Sequence, residues 1–188
     1  LKTDYFYYSE AADSLLHTFY LSGANALIDA KKLKSIGGFY ELFSPFYCED
    51  MELSMRAWRL NWKCYYEHQS VCRHQVSAST KNYKTAKWVK SIYYRNRFYM
   101  HALHLNGFAR IAWFLQITLI DLLPKLLIGQ WWLWHSYIDL LSNRKLIAGY
   151  RERLKELMEV HGSSRTISDV IADLRGSIDS VNVKRFKP

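Results

Sequence analysis

A chain of 188 residues that is 49% hydrophobic and 16% aromatic, with only 3 prolines and 8 glycines, can bury a real core, and its composition excludes disorder. Its net charge of +9 suits a sugar-nucleotide diphosphate or an anionic membrane face; with no nucleic-acid motif and the basic residues scattered beside long apolar segments, no nucleic acid is expected as a partner. Cys48, Cys64 and Cys72 are odd in number and lack a Cys-X-X-Cys spacing, which indicates neither a disulfide framework nor a zinc site and points to a reducing cytoplasm.

Residues 1–20 are aromatic and fit either a strand or a loop leading into a short helix. Ser22-Gly23-Ala24-Asn25 forms a turn, residues 26–28 a short strand, and Asp29 caps a helix over 30–36 that Gly37 ends. After the loop Ser44-Pro45-Phe46-Tyr47, the acidic pair Glu49-Asp50 opens a second helix, where either carboxylate suits the positive end of the dipole. Met51, Met55, Trp58 and Trp62 form one apolar stripe and Leu53, Ala57 and Leu60 another, so this helix lies between layers. Glu52, Arg56 and Arg59 share the edge left for water, and Asn61 takes the left-handed turn at the end. Two short β-prone runs follow, 63–66 and 70–74, the second ending in His74.

A polar loop, 75–80, leads to a long helix over about 84–105, interrupted at Tyr94-Arg95-Asn96-Arg97. Residues 108–141 are strongly apolar, but Asp121, Pro124 and Lys125 divide them into two helices too short to span a bilayer. With Trp131, Trp132, Trp134 and Tyr137 clustered as interfacial aromatics are, these helices are expected to lie on a membrane; packing on the domain or on another subunit is the alternative. An amphipathic helix over 144–161, a break at 162–164, a short helix over about 167–174 stopped by Gly176, and a loose basic tail complete the chain.

The run GGFYELFSPFYCEDMELSMRAWRLNWKCYYEHQSVCRH resembles the C-terminal part of the catalytic domain of family 2 glycosyltransferases, which have the GT-A fold. Gly-Gly-Phe, a variable loop, Glu-Asp, an Arg-containing helix, a Trp and a later His follow the family's order; Glu52 stands where Asp is frequent and Asn61 replaces the usual Gly. The resemblance implies an α/β fold, the C-terminal part of a GT-A (Rossmann-like) domain, followed by amphipathic, membrane-associated helices. Residues 1–105 are then the acceptor side of the catalytic domain, 106–161 a hydrophobic helical region, and 162–188 a short helix with a basic tail.

By the same resemblance Asp50 is the general base and His74 helps hold a divalent cation, Mn²⁺ or Mg²⁺; imidazole favours manganese. Glu49, Gly23, Ala24, Gly38 and Arg95 are placed at the substrates. Taken alone, Asp50 reads more readily as a helix cap and His74 as a strand-end surface residue; the ordered set of motifs reverses that. The implied reaction is metal-dependent transfer of a sugar from a nucleotide-diphosphate donor to the hydroxyl of a glycan or lipid-linked acceptor, with inversion, in polysaccharide or glycoconjugate assembly. The implied place is the cytoplasm, peripheral to the inner face of the membrane. The family's second metal ligand comes from an upstream Asp-X-Asp, and Asp4, Asp13 and Asp29 are not so spaced. Too few residues precede Gly37 for a nucleotide-binding half, so a fragment of a longer protein, inactive by itself, is expected. The alternative is a non-catalytic membrane- or partner-binding module on a truncated fold.

Overall fold

The two apolar stripes of the second helix decide the architecture, because such a helix is stable only when covered on both sides. In the computed structural model, which describes residues 5–8, 16–67, 70, 85–179 and 183–186, this helix, α2 (Glu49–Arg59), is the innermost element, and every residue from Glu52 to Leu60 is buried. Trp58 donates its indole N–H to the Thr18 carbonyl at 3.0 Å, and Ser54 accepts from the Leu21 amide at 2.9 Å, so residues 18–21 lie across the helix. Beside them β2 (Leu16–His17) pairs antiparallel with β3 (Tyr65–Tyr66). Asn61, at φ +62°, ends the helix, with the Trp62 amide returning to the Ala57 carbonyl at 3.0 Å.

One expectation fails on this helix. Glu52 and Arg56 are fully buried and Arg59 nearly so, because the third face is covered by elements remote in sequence. These are the Gly37-Gly38 turn, the end of α3 (Ala86–His104), and the segment before α8 (Ile167–Asp179).

Asp29 caps α1 (Ala30–Ser35), accepting from the Lys31 and Lys32 amides at 2.8 and 3.0 Å. Gly37, at φ +81°, turns the chain out, and the Gly38 amide closes on the Leu33 carbonyl at 2.9 Å. The strand expected over 26–28 does not form: Leu27 is 99% exposed and no strand among the described residues pairs with it. Among the described residues the sheets are two-stranded and antiparallel, and the eight α-helices predominate; the parallel sheet of a Rossmann-like domain is not among them.

The C-terminal part is helical. α3 runs unbroken through residues 94–97, since Asn96 is buried against backbone carbonyls and does not disturb the helix. Its end is closed by Arg151 of α7 (Arg144–Val160), which donates to the Ala102, Leu103 and Leu105 carbonyls at 2.7–2.9 Å. A cation there both satisfies orphan carbonyls and suits the negative end of the dipole.

The break expected at Asp121 and Pro124 is also absent. α4 (Gly107–Gln116), a π-helical stretch (Ile117–Leu122) and α5 (Leu123–Leu127) form one helical run. Pro124 falls in the first turn after the wider π stretch, where its missing N–H and its ring are tolerated, and Lys125 reaches the Asp121 carbonyl at 3.2 Å and its carboxylate at 3.7 Å. The run Gly107–Leu127 is therefore 21 residues with mean hydropathy 1.3, long and apolar enough to cross a membrane. The chain breaks instead at Gly129, φ +75°, before α6 (Trp132–Ser142), which packs on α3.

α8 passes through Gly176 instead of stopping there, with Val170 buried towards the core. The tail expected to be loose forms β4 (Val183–Phe186), antiparallel to β1 (Tyr5–Tyr8), with Tyr5 opposite Phe186 and Tyr8 opposite Val183.

Candidate functional site

Two consecutive left-handed residues, Tyr47 at φ +74° and Cys48 at φ +68°, deliver the chain into α2. Cys48 occupies the cap position without a side-chain bond, so neither Glu49 nor Asp50 caps the helix; both carboxylates lie in its first turn. Asp50 is half-buried and its carboxylate gathers donors from two segments. Oδ1 accepts from the Met51 amide at 2.8 Å; Oδ2 accepts from the Tyr20 hydroxyl at 2.8 Å and from the Gly23 amide at 3.2 Å. Burial, and then the hydrogen bond to Asp50, push the Tyr20 phenol up to about 12. Tyr20 therefore stays protonated at neutral pH and donates. No sequence signal in the aromatic opening stretch marked Tyr20 for this position.

Of the residues singled out by sequence, Gly23 touches Asp50 directly, and its neighbour Ala24, exposed, donates its amide to Ser22 Oγ at 3.4 Å. A side chain at Gly23 would stand 3.5 Å from Asp50 Oδ2, an ordinary contact, so space alone does not demand glycine there. Glu49 is half-buried with Oε2 lacking a hydrogen-bond partner; burial, and further the Asp50 charge, raise its pKa against the pull of a backbone N–H. Gly38 faces elsewhere: its carbonyl accepts from Arg56 at 2.6 Å. Arg95 donates to the Ser44 carbonyl and, at 3.0 Å, to Asn96 Oδ1, so it holds the loop before α2 and is not turned to Asp50. His74 lies outside the described residues.

The loop is held chiefly by Asn96, a residue sequence reasoning read as an interruption. Its buried amide donates to the Phe43, Phe46 and Tyr47 carbonyls at 2.6–2.9 Å, which fixes the entry into α2. Beneath the mouth lies a buried ionic group. Glu52 accepts from Arg56 Nη2 at 3.0 Å and faces His104 Nε2 at 3.6 Å. Arg56 also donates to the Ile36 carbonyl at 2.9 Å and lies 3.7 Å from the centre of the Tyr40 ring. Arg59 Nη1 stands 3.3 Å from His104 Nδ1. An arginine can only donate, so Nδ1 is the acceptor and the imidazole is the neutral Nε2–H tautomer. Burial holds the pKa of His104 below the ordinary imidazole value, outweighing the pull of the nearby Glu52 carboxylate.

The buried Cys48 and Cys64 thiols are pushed up to about 12 and about 11, Cys48 by burial and then by Asp50, Cys64 by burial. Both are inert thiols. Among the described residues no three His, Cys, Asp or Glu side chains come together as a metal set.

Against known proteins, the profile of the family described as Glycosyl transferase family group 2 matches residues 2–149. No curated protein and no solved structure matches the chain.

Proposed function

The chain belongs to the Glycosyl transferase family group 2, and on that premise we propose that Asp50 is the general base of an inverting sugar transfer. The observation that carries this is its hydrogen bonding. A carboxylate has about four lone-pair sites; three neutral donors, Tyr20, Gly23 and Met51, orient Asp50 and leave one for an acceptor hydroxyl. As the acceptor oxygen bonds the anomeric carbon, the bond from that carbon to the diphosphate breaks and the hydroxyl proton passes to Asp50. Glu49 beside it contacts the acceptor, while Gly23 and Ala24 line the approach and Arg95 holds the loop at its rim. The donor is a nucleotide-diphosphate sugar, and the product a polysaccharide or glycoconjugate.

A Mn²⁺ or Mg²⁺ ion held in part by His74 belongs to the same proposal through the family resemblance. It would neutralise the departing diphosphate. The described residues around Asp50 supply no ligand set of their own, so no step is routed through the ion.

The helical run Gly107–Leu127 supports a membrane contact. Phe108, Ile111, Leu115, Leu119, Leu123 and Leu127 are exposed at spacings of three and four and form one continuous apolar stripe. We place this stripe against the inner, cytoplasmic face of a bilayer. The decisive experiment is Asp50→Asn in the full-length protein. The expected result is a fall in turnover of about 10³-fold with donor binding unchanged, since asparagine keeps the shape and removes the base. Near-normal turnover would remove Asp50 from the chemistry, and vesicle flotation without any turnover in the parent protein would favour a non-catalytic membrane module.

A further inference from the structure

α8 lies beyond residue 149, where the match to the transferase family ends, yet it packs on the two elements that frame the site, α2 and β2. The chain reaches it through a strap. Gly162, at φ +59°, turns out of α7; the Ser163 amide closes on the Met158 carbonyl at 2.8 Å, and the Ser163 hydroxyl donates to the Arg59 carbonyl at the end of α2. Arg59 in turn donates its Nε–H to the Arg165 carbonyl at 3.0 Å, so residues 163–165 are tied to α2 in both directions. Thr166 and Asp169 then start α8 as a reciprocal cap, the Asp169 carboxylate accepting from the Thr166 amide at 2.7 Å and the Thr166 hydroxyl accepting from the Asp169 amide at 3.3 Å. The start and direction of α8 are thereby fixed.

An isolated two-stranded ribbon is marginal in water and needs a helix packed against it. β2 and β3 form such a ribbon. On the inner face of α8, Val170 has no exposed surface, and Ile167 and Leu174, at the spacing of one helix face, pack on the same core. On the rim, Asp173 accepts from Arg165 and, at 3.4 Å, from Lys63. These two cations stand 5.9 and 5.2 Å from the centre of the Trp58 ring, and His17 of β2 meets the same ring in a T-shaped contact at 5.4 Å. The charges of Lys63 and Asp173 both reach the His17 ring. Trp58 is thus shared by α2, β2 and the start of α8. From β2 the chain runs directly into the residues that reach Asp50: Thr18 accepts from the Trp58 indole, Leu21 donates to Ser54, and Tyr20 and Gly23 donate to Asp50.

We propose that α8 is a positioning element of the transfer reaction: Val170 holds β2, and β2 holds Tyr20 and Gly23 on Asp50 in the orientation that receives the acceptor hydroxyl. Val170 and Asp173 are positioning residues that act through β2. That the held residues serve transfer rests on the Asp50 reading above; that α8 holds them does not. α2 itself depends less on α8, because Arg56 and Arg59 also tie it to the Gly37-Gly38 turn and to the end of α3. Loosening α8 is therefore expected to free residues 16–23 and leave α2 in place.

The test is hydrogen exchange of the full-length protein, read peptide by peptide, with two readouts of the site beside it. Val170→Ala removes two buried methyl groups, and exchange over residues 16–23 is expected to quicken about tenfold while α3 exchanges as in the parent. In protein labelled with 3-fluorotyrosine, the Tyr20 fluorine signal, assigned by its loss in Tyr20→Phe, is expected to move part of the way towards its position in Asp50→Asn. In the assay used for Asp50→Asn, the KM for acceptor is expected to rise about fivefold with kcat within about twofold, as loss of one oriented hydrogen bond requires. Asp173→Lys leaves the core untouched and sets a like charge against Arg165 and Lys63; it is expected to give the same pattern at about threefold, and Arg165→Glu added to it to recover the parent values. Unchanged exchange over residues 16–23 in both variants overturns the positioning role, as does quickening that spreads equally to α3. Selective quickening with the Tyr20 signal and the acceptor KM unmoved overturns it as well, and leaves the Asp50 reading to Asp50→Asn. If Asp50→Asn keeps its turnover while residues 16–23 loosen as expected, the hold of α8 on the crossing segment stands and the Asp50 reading fails.

Discussion

Asp50 and Glu52 sit two residues apart in the first turn of α2, yet the structure treats them in opposite ways. Asp50 is half-exposed and held by a phenol and two backbone amides, with no cation paired to it among the described residues. Glu52 has no exposed surface and is shared between Arg56 and His104. A buried anion without a cation is too costly to keep, so Glu52 is committed to holding the fold. The neutral donors around Asp50 orient it without occupying all of its lone pairs. Position on the helix fixes neither role; the groups brought in from residues 20–23, 36–38 and 104 do.

The largest effect expected from breaking this contrast lies on the buried side. Arg56→Ala strands Glu52 and three backbone and ring contacts at once, and is expected to cost about 3–5 kcal/mol of stability in urea unfolding. Glu52→Leu combined with Arg56→Met removes both charges and is expected to recover most of that loss, because the penalty is for the unpaired ion and not for the missing pair. Asp50→Asn, by contrast, should lie within about 1 kcal/mol of the parent. A loss as large as that of Arg56→Ala would mean that Asp50 is structural too.

Asn96→Leu comes next. It leaves the Phe43, Phe46 and Tyr47 carbonyls without their shared donor, at about 1–3 kcal/mol for unsatisfied buried groups. Because that loop sets the mouth of α2, turnover is expected to fall alongside stability, which a purely structural asparagine remote from the site would not cause.

Acid separates the two regions by a smaller amount. His104 is neutral and buried, with its pKa below the ordinary 6.5. Between the folded and unfolded values the unfolded chain binds the proton and the folded one does not, so stability is full above pH 6.5 and declines as pH falls below it, by about 1.4 kcal/mol per unit at most. His104→Gln is expected to flatten that slope in melts between pH 7 and pH 5. An unchanged slope would place the titrating group elsewhere.

How much of this was legible follows the range of each interaction. The Asp29 cap, the Gly37 and Asn61 turns and the two stripes of α2 are local, and the spacing of residues within one helix reveals them. Burial of the Glu52–Arg56 pair is not local: its i,i+4 spacing marks a pair on one face, but the Gly37-Gly38 turn and His104 at the end of α3 make that face an interior. Likewise Pro124 reads as a break because the π stretch that accommodates it leaves no pattern in the sequence, and Arg151 closes α3 from a helix whose surface charges otherwise look alike. At the site, Asp50 and Gly23 were marked by motif and do meet, whereas Tyr20 joins them only through the crossing of residues 18–21 over α2.

Tyr20 offers the finest division between the two carboxylates. Its hydroxyl holds Asp50 Oδ2 at 2.8 Å from a residue that is 43% exposed, so it is a tether that an incoming acceptor hydroxyl can displace. Removing it in Tyr20→Phe leaves Asp50 oriented by the Gly23 and Met51 amides, and one neutral hydrogen bond is worth about 1 kcal/mol. The expected result is therefore small: stability within about 1 kcal/mol, turnover within about tenfold, and a change concentrated in the KM for acceptor. A fall in turnover as deep as that of Asp50→Asn, with KM unchanged, would instead make the phenol part of the proton path. Its pKa of about 12 argues against that role, because at neutral pH it has a proton to hold and no lone pair basic enough to take another.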